Sequence, residues 1–272
     1  MENNNMTNEI DIDRIVRERA GKKAKYIPKW LTGLLARIIH QDFMNEYLRR
    51  GKMGVEFCKC GVAYYGNTIT VEGSENLPDD GRLCTFVSNH PLGGIDGVTL
   101  GWIIGEHYNG KIKFLVNDLL MNLKGLAPLC VPINKIGKQA RSFPALVEDT
   151  FASDCHVIMF PAGMCSRKQD DGTIRDLPWN KAFITKSVQH QRDIVPIHFD
   201  GHNSERFYNV ARWCKRLHLP NFAMMLLPDE MYRGRGNHYT VRIGKPIPWQ
   251  TFDESKKPAE WGRWVQDKVY EI

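Results

Sequence analysis

The architecture of this chain follows from one segment, Leu83-Cys84-Thr85-Phe86-Val87-Ser88-Asn89-His90-Pro91-Leu92-Gly93-Gly94-Ile95-Asp96. Its apolar beginning predicts a buried strand, its Pro-Leu-Gly-Gly portion predicts a sharp bend, and its end opens a helix-like stretch. This layout puts the His90 imidazole at the end of a buried strand, where the turning backbone leaves it open to a ligand. The Asp96 carboxylate can then hydrogen-bond one ring nitrogen while the other nitrogen stays free to take a proton.

Two interpretations of this pair are open at this point. In the first, His90 and Asp96 form a proton-transfer dyad. In the second, they only cap the bend and the start of the helix. No serine nucleophile has an obvious place beside His90, so the dyad would activate a hydroxyl supplied by a substrate.

Length and composition bound the class of protein. A chain of 272 residues suits one large domain or a domain with an appended arm. With 42% hydrophobic and 25% charged residues, it has the composition of a soluble globular protein with a sizeable core. Its net charge of +6 is a modest excess, so we expect no nucleic-acid partner.

The start of the chain predicts a basic arm. Residues 1–20 are polar and predict a flexible tail, and residues 21–52 predict a basic amphipathic helical arm before a domain over 53–272. Cations crowd this region beside Trp30, which fits an anionic membrane surface, with a solvated arm as the alternative. They are Arg14, Arg17, Arg19, Lys22, Lys23 and Lys25.

The arm is also open to two structural interpretations. Apolar residues recur at spacings of three and four between Pro28 and Arg50, which predicts one helix that either packs on the domain or lies in a lipid interface, the former being favoured. There is no signal-peptide pattern and no apolar run long enough to span a bilayer. We therefore expect a cytoplasmic protein, peripheral on the inner face of the cell membrane.

Short apolar runs alternate with helical segments through most of the chain. Residues 61–73 predict a β-hairpin that turns at Gly66-Asn67. The later strands are predicted at 83–87, 112–116, 129–133, 156–160, 194–199 and 241–243, and helices at 96–107, 138–151, 179–190, 204–217 and 258–270. Continuous apolar strands between helices predict an α/β fold: a single domain whose largely parallel sheet is flanked by helices.

Polar residues that follow the predicted strands mark the ligand-binding edge of such a sheet. Lys135 follows one strand, His198 lies at the end of another, and the loop Phe160-Pro161-Ala162-Gly163-Met164-Cys165-Ser166-Arg167-Lys168 follows a third. The backbone N–H groups of this loop, with Arg167 and Lys168, are suited to an anion or an oxyanion, with a merely basic loop as the alternative. The seven cysteines show no zinc-finger spacing, and we expect no metal site.

Together these blocks resemble the glycerolipid (lysophospholipid) acyltransferases. The resemblance lies in the order His90…Asp96, Phe160-Pro161-Ala162-Gly163 with Ser166-Arg167, and Val195-Pro196-Ile197 with His198. The residues within these blocks are similar to those of a hemolysin-like bacterial branch of the family, whose members O-acylate lyso-aminolipids such as lyso-ornithine or lyso-glycine lipids. It covers roughly residues 60–250.

The resemblance implies that His90 is the general base on the acceptor hydroxyl and that Asp96 orients it. The donor would be an acyl thioester on acyl carrier protein or coenzyme A, with no bound cofactor and no covalent enzyme intermediate. The acceptor would be a lysolipid at an anionic membrane surface. The residues expected to contact substrate are Asn89, Gly93, Gly94, Lys135, Phe160, Pro161, Gly163, Ser166, Arg167 and His198.

Two departures from the family pattern bear on the chemistry. Five residues separate His90 and Asp96 here instead of the usual four, so the two glycines must bend the chain to bring the pair together. Ala162 and Cys165 stand at the places of a Glu and an Arg that help hold glycerol phosphate. This favours a different head group, with Arg167 as a candidate clamp for a carboxylate or phosphate.

Two rival functions remain at this stage. A thioesterase or lysophospholipase would use the same pair on water, although no Gly-x-Ser-x-Gly motif is present. A non-catalytic membrane lipid-binding module would use His90 only to support the fold.

Overall fold

The computed structural model describes residues 9–116, 118–132 and 143–272. Within these ranges the chain forms a seven-stranded sheet and a separate two-stranded ribbon. The strands of the sheet are β1 (Thr68–Glu72), β2 (Cys84–Ser88), β3 (Ile112–Val116), β4 (Cys130–Pro132), β5 (His156–Met159), β8 (Asp193–Asp200) and β9 (His238–Ile243). The ribbon pairs β6 (Arg167–Lys168) with β7 (Ile174–Arg175).

Helices cover both faces of the sheet. They are α1 (Ile12–Ala20), α2 (Lys29–Ile38), α3 (Gln41–Leu48), α4 (Gly54–Tyr64), α5 (Ile95–His107), α6 (Phe143–Ala152), α7 (Ala182–Gln189), α8 (Glu205–Arg216), α9 (Leu227–Arg233) and α10 (Pro258–Glu271). Short 3₁₀ turns lie at Gly21–Tyr26, Ser74–Asn76, Asp118–Asn122, Lys124–Leu129, Phe222–Leu226 and Trp249–Thr251.

The strands follow the order β1-β9-β8-β2-β5-β3-β4 across the sheet. Neighbours pair in parallel except β8 and β9, which are antiparallel. Strand β2 lies between β5 and β8, with Phe86 opposite both Ile158 and Val195. The prediction of a mostly parallel sheet flanked by helices is confirmed.

Alternation along the central strands explains their continuous apolar sequence. Phe86 and Ile158 belong to a cluster on the α4 and α5 side of the sheet, with Leu100. Their neighbours Val87 and Val157 belong to a second cluster, on the α7 and α10 side. Because successive side chains point to opposite faces and both faces are covered, no polar position is needed between them.

The hairpin predicted for residues 61–73 is wrong. Its first half lies in helix α4, and its second half, β1, pairs in parallel with β9 instead. Phe57, Cys58, Gly61 and Val62 form a helical stripe that is buried against α5 and its surroundings. Gly66, with φ of 66°, does make a turn, but that turn ends the helix. A four-residue apolar run cannot separate helix from strand, and tertiary packing decided this one.

The arm also departs from the single predicted helix. It is two helices, α2 and α3, broken at His40, whose φ of 52° is left-handed. The break carries no glycine or proline signal. It is held by contacts distant in sequence, because the His40 ring stacks on Tyr232 at 3.6 Å and its Nε2 lies 2.7 Å from Asp229 Oδ1.

The two helices of the arm differ in how far they are buried. Tyr47 and Leu48 of α3 are buried in the main core cluster. Trp30 and Leu34 of α2 remain 70% and 46% exposed. Upstream, residues 12–20 of the predicted flexible tail form helix α1, which Asp11 caps. In the described parts of the chain, no helix is long and apolar enough to cross a membrane.

Candidate active site

The predicted His–Asp pair sits at the carboxyl end of β2. The strand ends at Ser88, residues 89–94 form the bend, and α5 begins at Ile95, so Asp96 lies in the first turn of that helix. His90 Nδ1 is 3.0 Å from Asp96 Oδ2. The two glycines therefore achieve the contact that a continuous helix over six positions would not allow.

Asp96 is fully buried and organises the whole bend. Its Oδ2 atom accepts hydrogen bonds from the backbone N–H groups of Leu92 (2.9 Å) and Gly93 (3.1 Å) as well as from His90. Its Oδ1 atom accepts from the backbone N–H groups of Gly94 and Gly97, both at 2.9 Å. These donors at a helix N-terminus stabilise a carboxylate, so Asp96 is ionised although no water reaches it.

The charge on Asp96 sets the state of His90. Burial on its own lowers the pKa of His90, but the Asp96 carboxylate outweighs it and the pKa is raised. Burial likewise opposes ionisation of Asp96, yet the imidazole and the backbone donors hold the pKa of that carboxyl below its usual value. Because an ionised carboxylate only accepts hydrogen bonds, His90 carries its proton on Nδ1. In neutral His90, Nε2 is therefore the basic nitrogen.

Gly93 and Gly94 are required for close packing as well as for the bend. Gly93 has φ of 75°, and a Cβ at this position would lie 2.9 Å from Leu227 of α9. A Cβ on Gly94 would lie 2.3 Å from the sulfur of Met231, one turn further along α9. Helix α9 therefore presses directly on the segment that carries His90.

The loop after β5 covers the other side of the histidine. Phe160 stacks on the His90 ring with centroids 4.0 Å apart. Gly163, with φ of 68°, closes a turn by donating its N–H to the Phe160 carbonyl. The Pro161 carbonyl accepts from the backbone N–H of Asn180. The side chain of His90 keeps 19% of its surface accessible, so the ring edge is not sealed by these contacts.

Asp176 is a buried carboxylate that the sequence analysis did not identify. Its Oδ1 accepts from the His90 backbone N–H (3.2 Å) and from the Ser166 hydroxyl (2.5 Å), and its Oδ2 accepts from the Trp179 indole (2.9 Å). The backbone N–H of Asp176 donates to the Tyr270 hydroxyl at 2.8 Å. Burial raises the pKa of Asp176. Its position in a turn-rich loop gave no motif by which to find it.

Three other predicted residues have structural partners. Asn89 pairs with the backbone of β8 through both its amide atoms, at 2.9 and 2.7 Å from Phe199. The Ser166 backbone N–H donates to the His90 carbonyl at 2.8 Å, so the loop after β5 is hydrogen-bonded directly to the bend that carries His90. His198 contacts α10 instead of His90: its ring lies against Tyr270 and its Nδ1 is 2.9 Å from the Val269 carbonyl.

Arg167 is a cation close enough to the pair for its charge to oppose protonation of His90 and lower the pKa of that imidazole. Its Nη1 donates to the Cys165 carbonyl at 2.8 Å, and its guanidinium lies over the Phe207 ring at 5.4 Å. Its Nη2 is buried and has no acceptor among the described residues. The next cation, Lys168, pairs with Glu205 of α8 at 2.5 Å. Lys135, which was also predicted to contact substrate, lies outside the described residues.

The arrangement favours proton transfer to an external hydroxyl. In the described part of the chain, no serine, threonine or cysteine hydrogen-bonds the His90 ring: Ser88 donates to the Asn89 carbonyl and Ser166 to Asp176. Cys165 is buried, which raises the pKa of its thiol. Over the same described ranges, no group of three or more His, Cys, Asp or Glu side chains is placed to hold a metal ion.

A buried His–Asp pair at the carboxyl edge of a parallel sheet, with no protein nucleophile bonded to it, is typical of direct group transfer between substrates. The chain matches the sequence model of the family described as Acyltransferase over residues 14–272. It therefore belongs to this family and is an acyltransferase enzyme. The family identified from the order of the motif blocks is confirmed.

Individual relatives are similar along almost the whole chain. It is 55% identical over 266 residues to a lyso-glycine lipid O-acyltransferase of Phocaeicola vulgatus, covering 97% of this chain and 95% of that protein. It is 56% identical to a protein of the same name from Bacteroides thetaiotaomicron, covering 97% of each. The solved structure of 1-acyl-sn-glycerophosphate (LPA) acyltransferase, PlsC, from Thermotoga maritima has a TM-score of 0.48 and 17% identity, and the match covers 80% of this chain and 77% of that one.

We expect Asp176→Asn to lower kcat by about tenfold to a hundredfold with KM changed by less than about threefold, because His90 is then held less accurately. In the variant, the amide NH₂ would replace an oxygen that accepts hydrogen bonds, and it would leave a buried donor without an acceptor. The free energy of unfolding should therefore fall by about 1–3 kcal/mol. Steady-state kinetics and chemical unfolding measure both. Asp170→Asn, in the exposed turn between β6 and β7, is the matched control. Wild-type turnover in Asp176→Asn would show that Asp176 does not position the histidine.

Proposed function

We propose that the enzyme transfers a fatty acyl group from an acyl thioester to the hydroxyl of a lysolipid with a glycine head group. One observation carries the reaction type: His90 has its Nδ1 held by Asp96 at 3.0 Å, and its Nε2 is free of protein nucleophiles among the described residues. The acceptor class is supported by the two lyso-glycine lipid O-acyltransferases that are 55% and 56% identical to this chain.

The chemistry follows from the direction in which His90 is held. Nε2 takes the proton of the acceptor hydroxyl as that oxygen attacks the thioester carbonyl. The imidazolium that forms is stabilised by Asp96, which is ionised and fully buried. When the tetrahedral intermediate collapses, the C–S bond breaks and His90 returns the proton to the leaving thiolate. The products are the acylated lipid and a free thiol, on acyl carrier protein or coenzyme A.

Arg167 is our candidate for binding the head group. A glycine that is linked to the lipid through its nitrogen keeps its carboxylate, and a guanidinium is the side chain best matched to a carboxylate. Nη2 of Arg167 is buried without an acceptor among the described residues, so a ligand oxygen there would satisfy it. The side chain is held in place by the Cys165 carbonyl and the Phe207 ring. Other predicted substrate contacts belong to the same loop as Arg167, among them Phe160, Pro161 and Gly163.

We further propose that the enzyme works at the inner face of the cell membrane. Trp30 and Leu34 of α2 are exposed, and exposed lysines such as Lys25 and Lys29 lie beside them. Aromatic and basic side chains on one helix are typical of segments that lie at an anionic lipid surface. This arrangement would bring the enzyme to an acceptor that remains in the bilayer.

We expect His90→Gln to reduce acyl transfer by about a thousandfold, because general-base catalysis contributes about 10²–10⁴ to such reactions. The assay combines a lyso-glycine lipid with palmitoyl groups on acyl carrier protein or on coenzyme A, and mass spectrometry measures acylated lipid and free fatty acid. His107→Gln, at a histidine that pairs with Asp79 on the surface, is the control.

Two results of this assay would contradict the proposal. Transfer at the wild-type rate in His90→Gln would remove the proposed general base. Free fatty acid from the wild-type enzyme, with no acylated lipid from either donor, would show a hydrolase that uses the same pair on water.

We expect Arg167→Met to raise KM for the lyso-glycine lipid by about tenfold to a hundredfold, which is the usual value of a charge-assisted hydrogen bond. An acceptor whose carboxylate is replaced by a carboxamide should bind wild type correspondingly less well, and Arg167→Met should not weaken it further. Lys168→Met, at the neighbouring cation that pairs with Glu205, should leave both KM values unchanged. If wild type and Arg167→Met distinguish the two acceptors equally, Arg167 does not bind the carboxylate.

A further inference from the structure

The surface formed by residues 212–225 exposes more apolar area than its role in the fold explains. It joins the C-terminal part of α8 to the 3₁₀ turn at Phe222–Leu226, and we call it the 212–225 face. Trp213 and Leu217 are 67% and 63% exposed. Leu219, Phe222, Met224 and Met225 are each between 40% and 49% exposed.

Helix α8 already buries a complete apolar stripe without these side chains. Ser204 caps its start, and Phe207, Tyr208, Ala211 and Cys214 pack inwards at helical spacing. Trp213 and Leu217, four residues apart on one side of the helix, lie outside that stripe. A helix that only covers the domain would carry polar residues there. Large exposed apolar patches instead mark surfaces that bind a partner or a membrane.

The charge of the same face is entirely positive. No Asp or Glu occurs between Glu205 and Asp229. Arg212, Lys215 and Arg216 are exposed, and the charge of Arg212 helps to lower the pKa of Glu205 at the start of α8. By contrast, Arg206 at the start of α8 is engaged by Asp229 and Glu230. The face thus combines exposed cations with apolar side chains, which matches an anionic, partly apolar partner.

We propose that the 212–225 face docks on an anionic lipid bilayer. A surface that binds an acidic protein would consist chiefly of cations, whereas here Trp213, Phe222 and four aliphatic or thioether side chains outnumber the three exposed cations. Segments that bind at a membrane interface typically combine tryptophan and leucine with arginine. Their apolar side chains insert at the boundary between head groups and acyl chains, and their cations bind the anionic head groups.

The 212–225 face also adjoins the loop that carries the candidate active site. Ala223 and Leu227 pack in one cluster with Cys165 and Phe207. Asn221 contacts the Met164 sulfur at 3.6 Å, and Leu227 lies against Gly93 of the bend. Docking here would place the loop of Arg167 next to the lipid surface. This orientation rests on the proposed function, since only a lipid acceptor requires it.

Binding to vesicles in the absence of substrate tests the proposal. The probes are vesicles of phosphatidylcholine with or without phosphatidylglycerol, and co-sedimentation measures the partition of the full chain. We expect Trp213→Ser/Leu217→Ser/Phe222→Ser to lower partition by at least about tenfold. The matched control, Met53→Ser/Val71→Ser/Leu146→Ser, removes as many exposed apolar side chains elsewhere and should bind as wild type does.

The charged residues are tested separately. We expect Arg212→Gln/Lys215→Gln/Arg216→Gln to weaken binding to the anionic vesicles by about a hundredfold, and to leave the weak binding to pure phosphatidylcholine unchanged. Thermal unfolding confirms that each variant is folded. If both triple variants bind like the control, the 212–225 face does not dock on the membrane.

A turnover assay separates this inference from the proposed function. With a short-chain lyso-glycine lipid that is dispersed as monomers, and no vesicles, both variants should turn over at the wild-type rate. Loss of turnover only with acyl carrier protein as donor would show that the face docks this acidic protein, and would overturn the proposal. If wild type itself makes no acylated lipid, the proposed function fails, while the vesicle measurements still decide the docking face.

Discussion

The structure around the candidate active site depends on one buried carboxylate. Asp96 accepts hydrogen bonds from four backbone N–H groups and from His90, and these contacts fix both the path of the bend and the tautomer of the histidine. A carboxylate can be buried only when such donors replace water. The same bonds that stabilise the bend therefore keep Asp96 ionised, and its charge makes His90 a stronger base than burial would allow. Folding and proton transfer rest here on a single group.

Elements far away in the sequence hold this group in place. Helix α9 contacts Gly93 and Gly94 through Leu227 and Met231. Asp229 of the same helix also binds His40, at the break between α2 and α3, so one short helix joins the bend to the N-terminal arm. On the other side, Asp176 links the His90 backbone to Ser166 and Trp179. The histidine is thus positioned by packing and hydrogen bonds on both sides.

The sequence was most informative where the signal is local. The continuous apolar strands predicted the parallel sheet, and Gly93-Gly94 predicted the bend that joins His90 to Asp96. Sequence patterns failed where long-range packing determines the local structure. The end of α4 was predicted as a hairpin strand, and the break at His40 depends on contacts with Tyr232 and Asp229. Asp176 stayed hidden because its role comes from three partners separated along the chain. Arg167 was selected from its motif position, and only the fold shows that its Nη2 is buried.

Asp96 raises the basicity of His90 and fixes its proton on Nδ1. Nitrogen-15 NMR of the histidine ring, titrated in wild type and in Asp96→Asn, measures both properties. We predict that His90 in wild type is protonated on Nδ1 when neutral and titrates above the ordinary histidine pKa. In Asp96→Asn, burial alone should take the pKa below that value. A wild-type His90 that titrates below the ordinary value, or that is unchanged by Asp96→Asn, would contradict the account.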